Sequence, residues 1–411
     1  MDLFHLLSIL IVLSAGFAYL NFRLLKLPNA IGLMLVSLAF SFIILLTGYI
    51  FPSFTDLVAV RLKSINFSEL LLEGMLSFML FAGAIHIKYE DLKNEKLTII
   101  LFSTLSVVLS TFIIGFASYY LLQAFGYTVQ LVHALLFGAL ISPTDPIAVL
   151  SILKNAGISK SLETKIAGES LFNDGVAVVV FLTILQLAKP GAEFDTGSVL
   201  LLFGREAIGG IFLGIITGYI GYKLIASIDN YQVEVLITLA IVMGGYTCAH
   251  FTHVSGPLAM VAAGLITGNQ GKKFGMSKIT EEYVDKFWEL TDEILNAILF
   301  VLIGLELLVL HTDRTIVVIS VLIIVISIAA RYLSVWIPSV AIRFQEKITQ
   351  RTLFILTWGG LRGGISIALA LSIPSELSRD IWVAITYVVV CFSIIVQGLT
   401  IGGIAKKISA A

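Results

Sequence analysis

The stretch GESLFNDGVAVVVFLTILQL, residues 168–187, places two carboxylates beside an uncharged apolar run. Together they make about 20 residues, the length that crosses the hydrocarbon of a bilayer as a helix. Glu169 and Asp174 are therefore predicted to lie at membrane depth, where an ionisable side chain costs about 2.5–3.5 kcal/mol or more unless it is paired, hydrated or neutralised. Because carboxylates at this depth mark ion and proton pathways, the helix is predicted to carry an ion or proton site.

The composition of the whole chain is that of a membrane protein. Of its 411 residues, 58% are hydrophobic and only 13% are charged, far from the balance of a soluble domain. We predict an all-α polytopic protein that forms a single membrane unit over residues 1–411. Windows of about twenty residues give about thirteen transmembrane helices, at 3–22, 30–50, 67–87, 97–122, 131–153, 164–187, 199–224, 233–251, 255–270, 292–310, 314–342, 351–373 and 380–404.

The basic residues of the predicted loops are divided unevenly between the two sides of the membrane. Eighteen lysines and arginines fall on the side of the C-terminus and six on the other side. Cytoplasmic loops carry the excess of positive charge in membrane proteins. We therefore expect a multi-pass protein of the cell (inner or plasma) membrane, with its N-terminus outside and its C-terminus in the cytoplasm.

Two of the predicted spans contain residues that interrupt helices. ISPTDP, residues 141–146, has two prolines around Asp145, and GGLRGG, residues 359–364, has four glycines around a Leu-Arg362 pair. Proline removes a backbone donor and disfavours helix in the residue before it, and glycine costs a helix about 1 kcal/mol relative to alanine. We predict broken helices in spans 5 and 12, with the opened backbone buried in protein or lining a water-filled cavity.

The two broken spans are seven crossings apart, so they run through the membrane in opposite directions. This spacing predicts inverted repeats, spans 1–6 and 8–13, joined by span 7, as in many secondary transporters with a site near the midplane. Each half-helix end carries about half an elementary charge. Asp145 and Arg362 are placed where those ends need compensation.

Oxygen-bearing side chains share one region of span 6. Ser170 and Asp174 are four residues apart and lie on one helical face, and Glu169 and Asn173 lie on the adjoining face. Thr144 and Asp145 are expected to face them from the opened span 5. Hard oxygen ligands of this kind suit an alkali cation, and no thiolate or histidine cluster suggests a transition metal. Since a proton or a cation can each neutralise a buried carboxylate, the two are predicted to compete for Asp174.

Three motifs carry a resemblance to a known family: TDP at 144–146, GESLFNDG at 168–175 and GGLRG at 359–363. Their order and positions resemble those of the CPA1 monovalent cation/proton antiporters, in the prokaryotic NhaP-type branch related to eukaryotic sodium/hydrogen exchangers. The resemblance covers nearly the whole chain. It implies the NhaA-like fold of thirteen helices, a homodimer, a six-helix core that moves against a dimerisation domain, and exchange of Na⁺ for H⁺.

The resemblance also implies roles for single residues. Asp174 is similar to the essential ion- and proton-binding aspartate, and Asp145, Ser170 and the backbone at Thr144 are similar to its co-ligands for Na⁺. Asn173 stands where electrogenic relatives have a second aspartate, which implies electroneutral exchange of one Na⁺ for one H⁺.

Three further charged residues are expected to have structural roles. Glu169 resembles the family's structural acid, and Arg331 in span 11 matches its arginine partner. Arg362 is interpreted as a charge that completes the broken helix. The helices that build the ion site are predicted at 67–187 and 292–404, the dimerisation or scaffold helices and the linker at 1–50 and 199–270, and a cytoplasmic interfacial connector at 271–291.

The alternatives differ mainly in the ion and the mode of transport. A K⁺/H⁺ antiporter of the same fold would use the same hard ligands. A cation channel is disfavoured because the features point to one midplane site rather than a continuous pore. An enzyme is not expected, since the motifs of an intramembrane hydrolase are missing from the sequence. We expect no cofactor and no nucleic-acid partner, only a monovalent cation, membrane lipid and a second copy of the chain.

Overall fold

The computed structural model describes residues 3–48, 50–51, 67–189, 196–310, 313–342 and 348–410, and these residues are almost entirely helical. The main helices are α1 (Leu3–Leu20), α2 (Asn29–Gly48), α3 (Phe67–Ile85), α4 (Lys96–Ala124), α5a (Leu131–Ile141), α5b (Ile147–Asn155), α6 (Lys160–Leu187), α7 (Thr196–Ile225), α8 (Tyr231–Thr252), α9 (Gly256–Ile266), α10 (Lys278–Glu306), α11 (Arg314–Ile342), α12a (Gln350–Trp358), α12b (Gly364–Ser372) and α13 (Arg379–Ile408). No strand occurs in the described ranges, and the all-α fold class is confirmed.

Several helices begin at a side chain that accepts a hydrogen bond from the first turn. Ser159 precedes α6 and accepts from the Leu162 N–H at 3.3 Å, and Ser255 does the same for Leu258 at the start of α9. Asn230 caps α8. Such caps satisfy backbone donors that have no partner within the helix.

Nine helices in the described ranges are long and apolar enough to cross a membrane: α1 with its extension to Leu25, α2, α3, α4, α6, α7, α8, α11 and α13. The other predicted spans correspond to the broken α5 and α12, the short α9 and the charged α10. The total of thirteen crossings and the inverted repeats stay predictions.

Both predicted helix breaks are present. The first interrupts the chain between Ile141 and Ile147, where Pro143 and Pro146 remove donors. The second lies between Trp358 and Gly364, over the glycine-rich segment. Two pairs of half-helices therefore meet end to end inside the protein.

The segment 278–291, assigned from the sequence to a separate connector, forms the first half of the continuous helix α10. Ser277 caps its start, and no proline or glycine interrupts it before Gly304. Trp288 on this half is fully buried. Its indole N–H donates to the Thr238 hydroxyl at 3.0 Å, and its ring lies 4.7 Å from that of Phe81. This half of α10 is therefore packed against α3 and α8 inside the protein.

The helices pack into two groups. The site group consists of α4, α5, α6, α11, α12 and α13, and the scaffold group of α1, α2, α3, α7, α8, α9 and α10. The sequence-based boundaries had placed α3 and the second half of α10 with the site helices, whereas α3 and α10 as whole helices have their most extensive contacts within the scaffold group. The hydroxyls of Ser37 and Ser41 on α2 donate to the Val301 and Gly304 carbonyls of α10 at 2.9 and 2.8 Å.

Candidate ion-binding site

The two broken helices cross at their opened segments. Asp145 and Leu361 form an isolated antiparallel bridge, in which the Asp145 N–H donates to the Leu361 carbonyl at 2.8 Å. Backbone groups freed by each break are thus partly satisfied by the other. The crossing brings ends of four half-helices to one place inside the protein.

Arg362 lies at the carboxyl-terminal end of α5a. Its Nη1 donates to the Ser142 carbonyl at 2.5 Å and to the Pro143 carbonyl at 3.1 Å, and its backbone N–H donates to Ser393 Oγ at 2.9 Å. The side chain is buried. A cation at this position opposes the partial negative charge of the helix end.

A buried polar cluster joins the opened segment of α5 to α6. Thr144 Oγ1 and Ser170 Oγ share a hydrogen bond of 3.2 Å, and Asn173 Nδ2 donates to Thr144 Oγ1 at 2.9 Å. All three residues are at most 3% exposed. The Asn173 Oδ1 atom has no hydrogen-bond partner among the described residues.

Asp174 lies beside this cluster with its carboxylate unpaired. It is 8% exposed and lines a cavity together with Asp145. In the part of the chain that the structure describes, no hydrogen bond or ion pair reaches the Asp174 side chain. The negative charge of Asp145 lies close enough to repel the Asp174 carboxylate. An unpaired carboxylate at this burial needs a proton or a cation.

Gly363 packs directly on Asp145. A Cβ atom at this glycine would lie 2.9 Å from Asp145 Cγ, closer than non-bonded carbon atoms approach. The glycine therefore leaves room for the Asp145 carboxylate at the crossing.

The charged side chains of Glu169 and Arg331 meet behind the polar cluster. Arg331 Nη1 lies 2.5 Å from Glu169 Oε1, and the two side chains are 6% and 1% exposed. The guanidinium also donates to the Leu356 carbonyl through Nε at 3.4 Å and Nη2 at 3.3 Å. Arg331 thereby links α6, α11 and the last turn of α12a.

The cavity has a volume of about 780 Å³ and separates the site group from the scaffold group. One wall is formed by α5, α6 and α12b, and the opposite wall by α3 and α10. Its mouth lies where α3 ends and α6 begins, close to His86 and Lys160. All the elements at the mouth belong to the side for which the sequence predicts the basic, cytoplasmic loops.

His86 lies just outside the membrane-spanning part of α3. Its Nδ1 is 3.5 Å from Asp285 Oδ1, and the Lys272 ammonium binds the same carboxylate. Burial, with the nearby Lys272 charge, lowers the pKa of His86 below its ordinary value of 6.5, while Asp285 and Glu289 act in the opposite direction. The balance favours the neutral imidazole.

The polar residues of α5, α6 and α12 that the sequence predicts for the site lie together in the structure. The acidic wall that α10 contributes to the same cavity was not predicted; it is formed by Asp285, Glu289, Asp292 and Glu293. The signal was the helical spacing of 285, 289 and 292. Asp285 and Glu289 were assigned to the cytoplasmic interfacial connector, and Asp292 and Glu293, at the start of predicted span 10, were given no role.

The fold and the site together are those of a secondary transporter, in which broken helices cross at a buried ionisable site. Residues 9–407 match the transmembrane sodium/hydrogen exchanger family. The chain belongs to this family, whose members are transporters rather than enzymes, and the resemblance to its NhaP-type branch is confirmed.

Individual relatives agree with this assignment. The chain is 46% identical over 411 residues to the Na⁺/H⁺ antiporter NhaP of Pseudomonas aeruginosa, covering 98% of this chain and 97% of the relative. It is 33% identical over 417 residues to the Na⁺/H⁺ antiporter NhaH of Halobacillus dabanensis, covering 99% and 98%. The sodium proton antiporter MjNhaP1 from Methanocaldococcus jannaschii has the same fold, with a TM-score of 0.78, 20% identity and 99% of both chains covered.

Proposed function

We propose that this protein is a secondary active antiporter that exchanges Na⁺ or Li⁺ for H⁺ across the cell membrane. The observation that carries the proposal is Asp174, a buried carboxylate without a partner in the described residues, in a cavity that it shares with Asp145. Relatives of 46% and 33% identity over nearly the full length bear the name Na⁺/H⁺ antiporter.

The chemistry of antiport follows from competition at Asp174. A proton and a monovalent cation each neutralise the carboxylate, and each excludes the other. The Na⁺ ligands are Asp174, Asp145, the Ser170 hydroxyl and Thr144, all hard oxygen donors. No group of three or more His, Cys, Asp or Glu residues that could hold a resident metal occurs in the described ranges.

The stoichiometry of the proposed exchange is one Na⁺ for one H⁺. Asn173 is a neutral amide beside Asp174 and already donates to Thr144. It adds no second titratable charge to this turn of α6. Exchange of one cation for one proton is then electroneutral.

Alternating access is proposed to come from movement of the site group against the scaffold group. The cavity lies on the boundary between them and opens on one side. With the N-terminus outside, that side is the cytoplasm. An unoccupied, anionic site is costly to move through an apolar gate, so only the protonated or cation-bound site crosses. Exposed apolar surface on α1 and α7 is available to lipid and to the second subunit of a homodimer.

Proteoliposomes with a pH-sensitive dye test this function. Na⁺, Li⁺ or K⁺ is added in turn, with and without a potassium/valinomycin clamp. Wild type is expected to exchange Na⁺ or Li⁺ unaffected by the clamp, and Asp174→Asn is expected to lose both fluxes. Asp380→Asn, at a side chain that is 96% exposed, is the matched control. Na⁺/H⁺ exchange retained in Asp174→Asn would refute the site, and a flux driven by voltage would refute electroneutrality.

A further inference from the structure

The scaffold wall of the cavity carries acidic residues that the proposed exchange has not used. Asp285, Glu289 and Asp292 follow one face of α10, and all three line the cavity that leads to Asp145 and Asp174. Negative charge that lines a cleft raises the local concentration of cations. A carboxylate on this wall is available to a transported ion only if no neighbouring cation already neutralises it.

Asp285 is already neutralised. It binds the Lys272 ammonium and lies 3.5 Å from His86. Lys272 is further fixed by its hydrogen bond to the Ile85 carbonyl at 3.1 Å. The Lys272–Asp285 ion pair lies at the end of the acidic face that is nearest the cavity mouth, and Asp285 therefore adds little net charge there.

Asp292 lies two turns deeper and is different. No ion pair reaches it from any described residue. The basic residues of the opposite wall are engaged elsewhere, since Lys154 and Lys160 bind Glu163 at 3.0 and 3.2 Å. Asp292 is also close enough to Asp145 for their negative charges to repel each other.

Asp174 and Asp292 therefore both face this cavity without a counter-charge from the described residues. Asp174 is more than nine-tenths buried on the wall of the site group, and Asp292 lies on the scaffold wall. A monovalent cation in the cavity between them interacts favourably with both. The same cation relieves the repulsion between Asp292 and Asp145.

We propose that Asp292 is a scaffold-side residue of the cation pathway, which draws the transported monovalent cation into the cavity and delivers it to Asp145 and Asp174 from this side of the membrane only. The inference rests on the proposed antiport. Sidedness follows from the packing, because α10 belongs to the scaffold group and the two aspartates belong to the site group. When the site group moves to open the other face, Asp292 stays behind.

Removing the charge of Asp292 should change the apparent KM for Na⁺ on one side of the membrane only. A unit charge within about 10 Å of a cation, in a medium between protein and water, changes its occupancy about three- to tenfold. Asp292→Asn should therefore raise the KM for Na⁺ by about three- to tenfold at the cavity face. The KM at the opposite face and the maximal rate should change by less than about twofold, and Asp292→Glu should restore the wild-type KM.

Everted and right-side-out membrane vesicles from the same cells present the two faces separately. Na⁺ dependence of H⁺ flux is measured in both, for wild type, Asp292→Asn and Asp292→Glu. Glu282→Gln is the matched control, because Glu282 is on the same helix but its side chain is 66% exposed and pairs with Lys286 at 2.6 Å. Asp292→Ser replaces Asp292→Asn if that variant does not accumulate.

A rise in KM in one vesicle type only, absent in Glu282→Gln, supports the proposal. An unchanged KM in both types, or an equal rise in both, overturns it while leaving the antiport intact. Loss of maximal rate with unchanged KM would assign Asp292 a structural role and also overturns it. If wild type itself does not exchange Na⁺ for H⁺, the proposed function fails first, so the two failures are distinguishable.

Discussion

Replacing Arg331 by methionine removes the cation of the buried pair and leaves Glu169, which is 1% exposed, without its partner. Stranding one charge of a buried pair costs about 3–5 kcal/mol. The Leu356 carbonyl also loses its two contacts with the guanidinium, at about 1–3 kcal/mol. Since the methionine side chain recovers part of the packing, we expect Arg331→Met to lower the free energy of unfolding by about 4–6 kcal/mol.

The partner variant and the double variant complete a thermodynamic cycle. Glu169→Gln keeps an oxygen acceptor and leaves Arg331 bound to the Leu356 carbonyl. We therefore expect this variant to lower the free energy of unfolding by about 3 kcal/mol, the lower end of the range for a broken buried pair. In Glu169→Gln/Arg331→Met no charge is stranded, and the cost should fall to about 1–3 kcal/mol. The two single effects should therefore be far from additive, as expected for residues in contact.

Thermal unfolding of the purified variants in detergent measures these effects. An unfolding entropy of about 2.1 cal/mol/K per residue makes 1 kcal/mol equal to about 1.2 °C for a chain of this length, so Arg331→Met should lower Tm by about 5–7 °C. Glu163→Gln on the same helix is the control, because Glu163 pairs with exposed lysines and such pairs contribute about 0–1 kcal/mol. Additive losses of Tm in the double variant would refute the stranded charge as the cause of destabilisation. A loss of Tm in Glu163→Gln as large as in the single variants would refute it as well.

Two further predictions concern the crossing and the cavity mouth. Gly363→Ala would push its methyl group against Asp145, and we expect transport to fall more than tenfold with little loss of yield. Gly403→Ala, where nothing lies within 4 Å of the added atom, is the control, and equal activities would show that the close approach is unimportant. His86→Gln tests the lowered pKa of His86. Because the pKa is lower in the folded state than in the unfolded state, protonation of His86 favours unfolding. The Tm of the wild type should therefore fall relative to that of the variant as the pH drops below about 6.5. A Tm difference that is the same at pH 8 and pH 5.5 would contradict it.

Residues of the site were recognisable because their chemistry is abnormal for their surroundings. Carboxylates in an apolar run, prolines around Asp145 and glycines around Arg362 are each visible within a few residues. The helix breaks follow from the same local rules, since proline and glycine act on the backbone of their own turn. None of these inferences needed to know which helix lies beside which.

The scaffold wall was missed because it depends on distant partners. The first half of α10 resembles a surface helix in sequence, with acidic residues between apolar ones. Trp288 is nevertheless buried against Phe81 and Thr238. Such contacts decide whether a helix with this pattern lies on a membrane surface or lines a cavity.

The sequence by itself determined that the chain is helical and membrane-embedded, that two helices are broken, and which ionisable side chains lie within apolar spans. Each of these depends on hydropathy or backbone preference over at most a few turns. Only the tertiary structure decided that Arg362 reaches the Ser142 carbonyl, 220 residues away in the chain, and that α10 faces Asp174 across the cavity. Contacts of this kind are set by how whole helices pack, and no local pattern records the partner that each helix finds.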